Sequence, residues 1–249
     1  MGFDAAFAAA VVLLGYLVLG VTGFGSALVI VPLLAWRWPL VEVVPLVLLM
    51  DLVASALMGR MNLRRVAWPE LRSLLPGMVL GCVLGLLLSR YLTSVWPLLF
   101  LGGYVVWVGW RTLGGPPPAT SPSTWMGGLY GLGVGVVQMS FGTAGPLVLA
   151  WLARRGVQAD AMRASTPVAM LGVALLVLVG MGWQGRLSDA LLWQRLLVLL
   201  PLGLVAVVVG HRLAGRLPMR QLRVAMAVLL AASGLLLMVN AARQLLASG

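Results

Sequence analysis

The sequence predicts an all-α integral membrane protein whose eight apolar segments form two four-segment repeats in inverted orientation, with segments one and five broken or re-entrant. Three observations predict it. Hydrophobic residues make up 61% of the chain and charged residues 9%, with a mean hydropathy of +1.05; soluble domains carry roughly a quarter charged residues. Two glycine- and hydroxyl-rich stretches interrupt long apolar runs: Gly20-Val-Thr-Gly-Phe-Gly-Ser-Ala-Leu-Val-Ile-Val-Pro32, and Gly133-Val-Gly-Val-Val-Gln-Met-Ser-Phe-Gly-Thr-Ala-Gly-Pro146. They register on Phe24-Gly25-Ser26 and Phe141-Gly142-Thr143, 117 positions apart. The third observation is the placement of the arginines.

A membrane-spanning helix needs about twenty apolar residues. The first segment, residues 4–36, is too long for one: a straight helix of about thirty residues measures about 45 Å against a hydrocarbon core of about 30 Å. Lipid tolerates irregular backbone only where protein or a water-filled cavity surrounds it. The segment is therefore expected to break at its glycine motif and return to the side it came from. Residues 40–58 follow and carry Asp51 deep in the span; residues 71–89 contain Leu74-Leu75-Pro76 and Gly85; residues 92–111 complete the first repeat. The run Leu113-Gly-Gly-Pro-Pro-Pro-Ala-Thr-Ser-Pro-Ser123 cannot continue a helix and reads as a linker. The domain division is thus 1–112, linker 113–123, and 124–249.

The second half repeats the pattern. Residues 124–153 hold the second motif and are expected to break like the first; residues 164–182 follow. Residues 191–212 carry Leu199-Leu200-Pro201 and Gly210, answering the third segment of the first half, and residues 222–242 carry Asn240, a candidate interhelical hydrogen-bonding group. All ten tryptophans lie within about a turn of a segment end, where interfacial anchors belong.

Arginine placement orients the segments. The seventeen basic residues are all arginine. With both long segments re-entrant, Arg37, Arg90, Arg186, Arg195 and Arg243 fall on one side and the other twelve on the opposite side; eight plain crossings give about nine against eight. Positive charge concentrates on cytoplasmic loops, so the inverted arrangement is preferred, with both termini outside the cytoplasm. No basic residue precedes Arg37, so the N-terminal run lacks the charged start of a signal peptide and is expected to remain in the protein.

The net charge of +11 does not point to nucleic acid, because the arginines sit in short connectors between apolar spans, where topology and anionic headgroups account for them. One histidine, His211, and one cysteine, Cys82, leave no material for a metal cluster or a disulfide framework, and no cofactor is expected. Lysine is absent and so is a P-loop. No acid/base or metal set for an enzyme is in view.

The broken segments carry the candidate chemistry. A helix that restarts within the membrane offers unpaired N–H groups and a partial positive charge at its N-terminus, which suits an anion. Hydroxyls of Thr22, Ser26, Ser140 and Thr143 and the Gln138 amide can supply hydrogen bonds; Gly23, Gly25, Gly142 and Gly145 let backbone approach closely. Helix packing is the alternative use of such small residues. Asp51 is a candidate for a coupling proton, against a structural hydrogen bond or a pair with Arg60. Arg163, opening segment six, is a candidate at the mouth of a cavity, against a topological anchor.

Gly20 through Pro32, Gly142-Thr-Ala-Gly-Pro146 and Arg163-Ala-Ser165 also resemble the sulfite exporter TauE/SafE family, and the resemblance covers nearly the whole chain. It implies a permease in a bacterial or archaeal cytoplasmic membrane for sulfite, sulfoacetate or a related sulfur-containing or organic anion. The expected function is secondary transport of a small anion, in the export direction, by alternating access between two repeats. An anion channel and a non-transporting assembly partner are the alternatives. The expected partners are the anion and the lipid bilayer, and a homo-oligomer is compatible with the sequence.

Overall fold

The computed structural model describes residues 2–88, 96–114 and 123–214, with scattered residues between 224 and 243. The linker falls mostly outside the described residues, as do Asn240 and much of the eighth segment.

Nine α-helices are described: α1 (Gly2–Thr22), α2 (Ser26–Leu34), α3 (Leu40–Asn62), α4 (Trp68–Leu88), α5 (Trp96–Leu113), α6 (Thr124–Phe141), α7 (Gly145–Arg154), α8 (Ala159–Trp183) and α9 (Ala190–Leu213). Among the described residues five helices are long and apolar enough to cross a membrane: α1, α3, α4, α8 and α9. Their outward faces remain apolar, as Leu80 on α4 and Leu197 on α9, 60% and 74% exposed, illustrate. Such faces belong against lipid rather than water.

Both long segments break at their motifs. α1 ends where Gly23 (φ +84°) and Gly25 (φ +96°) take left-handed backbone, and α6 ends at Gly142 (φ +68°). Glycine adopts these angles without the Cβ penalty other residues incur. The side chains beside the glycines close the breaks: Thr22 Oγ1 donates within the turn, 2.6 Å from the Phe24 carbonyl oxygen, and Gln138 Oε1 accepts from the Ala144 N–H at 2.9 Å.

Each break is a reversal. α2 runs back along α1, bringing the Trp36 ring 6.3 Å from that of Phe7. α7 runs back along α6, bringing Trp151 5.5 Å from Tyr130. Trp151 is fully buried, and its Nε1 donates to the Glu70 carbonyl oxygen at 3.2 Å. It therefore works as a core residue instead of the interfacial anchor its position in the sequence suggested.

Close packing sets the helix directions. α1 and α9 run in parallel, with Gly20 against Gly210 and Tyr16 against Gly203. A Cβ on Gly20 would collide with the Val207 carbonyl oxygen. α4 and α6 are also parallel, with Gly77 against Gly128 and Gly85 against Met139. Small residues allow such close backbone approach in membrane bundles. α3 and α8 are antiparallel: Ala67, just past α3, donates through its N–H to Ser165 Oγ at 2.9 Å. Helix ends extend a few residues beyond the apolar cores read from sequence, because polar residues such as Asp160 continue the helix past its hydrophobic stretch.

The two ends of the bundle carry separate ion pairs. Arg155 bonds Glu70 through Nε at 2.6 Å and Nη2 at 3.2 Å, and Arg65 meets Asp160 at 3.3 Å. At the other end Arg195 bonds Glu42 at 2.7 Å and stacks 4.0 Å over the Trp38 ring centroid. Asp189 caps α9 by accepting from the Leu191 N–H.

Candidate substrate site between the hairpin tips

The two reversals meet. A Cβ built on Gly145 would lie 3.3 Å from Phe24 Cβ, so the tip of the α6–α7 hairpin rests on the tip of the α1–α2 hairpin. Between them is a cavity of about 20 Å³. That is room for about one water molecule. Gly23, Gly25 and Ser26 line it from one hairpin, and Gly142, Thr143 and Gly145 from the other. Asp51 and Ser55 of α3 and Pro167 and Met170 of α8 complete the wall.

The polar groups are unevenly satisfied. Asp51 Oδ1 accepts from Tyr16 Oη and from Ser26 Oγ, both at 2.8 Å, so three helices converge on one carboxylate oxygen. Thr143 Oγ1 is buried and has no hydrogen-bond partner among the described residues. A buried hydroxyl without a partner costs about 1–3 kcal/mol. α2 and α7, of nine and ten residues, both begin at the cavity, so the positive ends of two helix dipoles face it.

A model of the sulfite exporter TauE/SafE family matches residues 7–237 of this chain. The chain belongs to that family. A "Probable inner membrane transporter protein TsaS" of Comamonas testosteroni is 42% identical over 191 residues, which are 76% of this chain and 80% of that protein. No solved structure matches. This family member is therefore a multi-pass membrane protein of the transporter class.

Of the residues singled out in the sequence, the fold brings Gly23, Gly25, Ser26, Asp51, Gly142, Thr143 and Gly145 to one cavity. Thr22 and Gln138 are buried beside it, with side-chain oxygens engaged in closing the helix breaks. Ser140 is buried on α6, away from the cavity lining. Arg163 lines a different cavity, and its main-chain carbonyl oxygen would lie 2.9 Å from a Cβ on Gly23. Arg60 does not reach Asp51; it too lines that second cavity.

Tyr16 and Ser55 escaped the sequence reading. Tyr16 sits in an uninterrupted apolar run, and only the fold turns it toward a residue 35 positions away. Tyr104 escaped likewise, although its hydroxyl donates to the Thr143 carbonyl oxygen at 3.2 Å.

Proposed function

We propose that this protein is a secondary transporter that carries a small oxyanion, sulfite or a short sulfonate, across the cytoplasmic membrane in the export direction. The observation that carries the reading is the buried hydroxyl of Thr143, without a partner among the described residues, on a residue that lines the cavity where the hairpin tips meet. An anion's oxygen would satisfy it. Ser26, the glycine backbone and the starts of α2 and α7 would supply further donors. The cavity is too small for a sulfonate, so the tips must separate to admit cargo.

Eight segments in two inverted repeats, 1–112 and 124–249, fit the contacts. α1 packs parallel to α9 as α6 does to α4, and the two hairpins enter from opposite ends. Alternating access then consists of the two tips parting on one side and then the other. The inner-membrane assignment of the 42%-identical relative agrees with this setting.

Among the described residues Asp51 is the one ionisable side chain on the cavity wall, and Tyr16 is the titratable group that faces it. Two unit negative charges about 5 Å apart at an effective dielectric of about 20 repel by about 3 kcal/mol. A bound anion therefore favours the protonated carboxyl, and the positive ends of α2 and α7 then face one net negative charge. Anion and proton travel together in this scheme, so export is driven by the anion's own outward gradient and carries the proton out with it.

The test is flux and binding. Purified protein should show anion-dependent thermal stabilisation with sulfite or a short sulfonate, and proteoliposomes should accumulate the anion under an imposed proton gradient. Absence of flux for sulfite, thiosulfate and sulfonates under every gradient would overturn the reading.

A further inference from the structure

We propose that the arginine-lined cavity where α3 ends and α8 begins is a second anion site, a vestibule that holds a compact oxyanion before or after its passage between the hairpin tips. Its place on the path rests on the transport reading; anion binding there stands on the cavity's own residues. The cavity measures about 650 Å³, far larger than the one between the tips. Arg60, Arg64, Arg65, Arg163 and His211 line it, with Asp160 as the sole carboxylate on the wall among the described residues.

The charge is not neutralised from within. Asp160 is taken by Arg65 in a pair whose side chains are 64% and 71% exposed, and pairs so exposed contribute little. Arg60, Arg64 and Arg163 have no carboxylate partner among the described residues. His211 Nδ1 is buried without a hydrogen-bond partner among the described residues. A concave wall of one charge sign focuses its field and concentrates counter-ions, and guanidinium groups match oxyanions with forked, charge-assisted hydrogen bonds. A sulfonate, sulfite or phosphate group fits this chemistry.

Arg163 joins the vestibule to the tip. Pro167 has no N–H, so the carbonyl four residues earlier, that of Arg163, lacks its helical donor. That carbonyl faces Gly23, while Pro167 itself lines the cavity between the tips. One residue thus presents its side chain to the vestibule and its main chain to the hairpin tip. An anion drawn onto the Arg163 guanidinium acts on the element that must move to admit it.

The test labels arginines with phenylglyoxal in purified protein in zwitterionic detergent micelles and reads adducts site by site by mass spectrometry. Methanesulfonate at ten times its dissociation constant should slow modification of Arg60, Arg64 and Arg163 by about tenfold, and leave Arg72 and Arg111, outside the cavity, unchanged. The same protection should persist in the Ser26→Ala/Thr143→Val double variant, which separates failure of the vestibule from failure of the inner site. Protection with no flux in wild-type vesicles would leave the second anion site standing and remove its role on a transport path. Uniform or absent protection overturns the proposal. So does protection by added phosphatidylglycerol without protection by methanesulfonate, which would make the cavity a lipid-headgroup site.

Discussion

Ser26 Oγ donates a 2.8 Å hydrogen bond to Asp51 Oδ1, tying the first residue of the re-entering helix α2 to a carboxylate that lines the inner cavity. The bond couples two functions, because a hydroxyl turned toward Asp51 is not turned toward an anion. When Asp51 is protonated, Ser26 gains freedom to donate into the cavity.

Asp51→Asn should therefore uncouple transport from protons. Anion binding in this variant should persist and lose its dependence on pH, whereas wild-type binding should strengthen as pH falls, because protonation removes the repelling charge. Flux measured with a pH-sensitive dye inside vesicles checks it; continued proton movement in the variant would exclude Asp51 as the coupling group. Tyr16→Phe leaves the carboxylate with one donor fewer and should cost about 1–3 kcal/mol of stability by thermal unfolding.

Thr143→Val separates ligand contact from packing. The hydroxyl has no partner among the described residues, so the near-isosteric change should leave the unliganded protein as stable as before or slightly more so. Anion affinity should drop by about tenfold or more, since a hydrogen bond to a charged group contributes about 1.5–3 kcal/mol. Loss of stability with unchanged affinity would assign the residue to packing.

Gly23→Ala tests the first hairpin turn. At φ +84° a Cβ is disfavoured by about 1–2 kcal/mol, and here it would also press on the Arg163 carbonyl oxygen at 2.9 Å. The variant should unfold at a lower temperature and transport more slowly. Gly103→Ala, where a Cβ meets nothing within 4 Å, is the control.

Phe24→Cys with Gly145→Cys, in a Cys82→Ser background, should cross-link the hairpins. The Cβ positions stand about 3.3 Å apart, just below the usual disulfide range of about 3.5–4.5 Å, and a small shift brings them into it. Oxidation should stop flux and reduction should restore it. An unaltered rate in the fully cross-linked protein would mean that the tips do not part during transport.

Much of the site was legible because its constraints are local. Gly23, Gly25 and Gly142 advertise left-handed turns, and two such breaks in long apolar runs imply reversals wherever the membrane sits. Ser26 and Thr143 stood out as hydroxyls beside those turns. Thr22 and Gln138 carried the same polar signal, yet their oxygens close the chain's own backbone, and no sequence rule separates a hydroxyl that caps from one that waits for a ligand. Trp151 misled for a related reason: position along a segment sets depth, while the side a ring faces depends on the neighbouring helix.

By itself the sequence determined that the chain lives in a membrane, where its two long segments break, and that glycine would line close contacts, since hydropathy and backbone freedom belong to each residue alone. Only the tertiary structure decided that the two tips touch, that Asp51 binds Tyr16 and Ser26 in preference to Arg60, and that Arg60, Arg64 and Arg163 share one cavity with His211. Those relationships join residues from 25 to about 150 positions apart. They follow from which helices pack side by side, and that choice is made by the fit of whole surfaces.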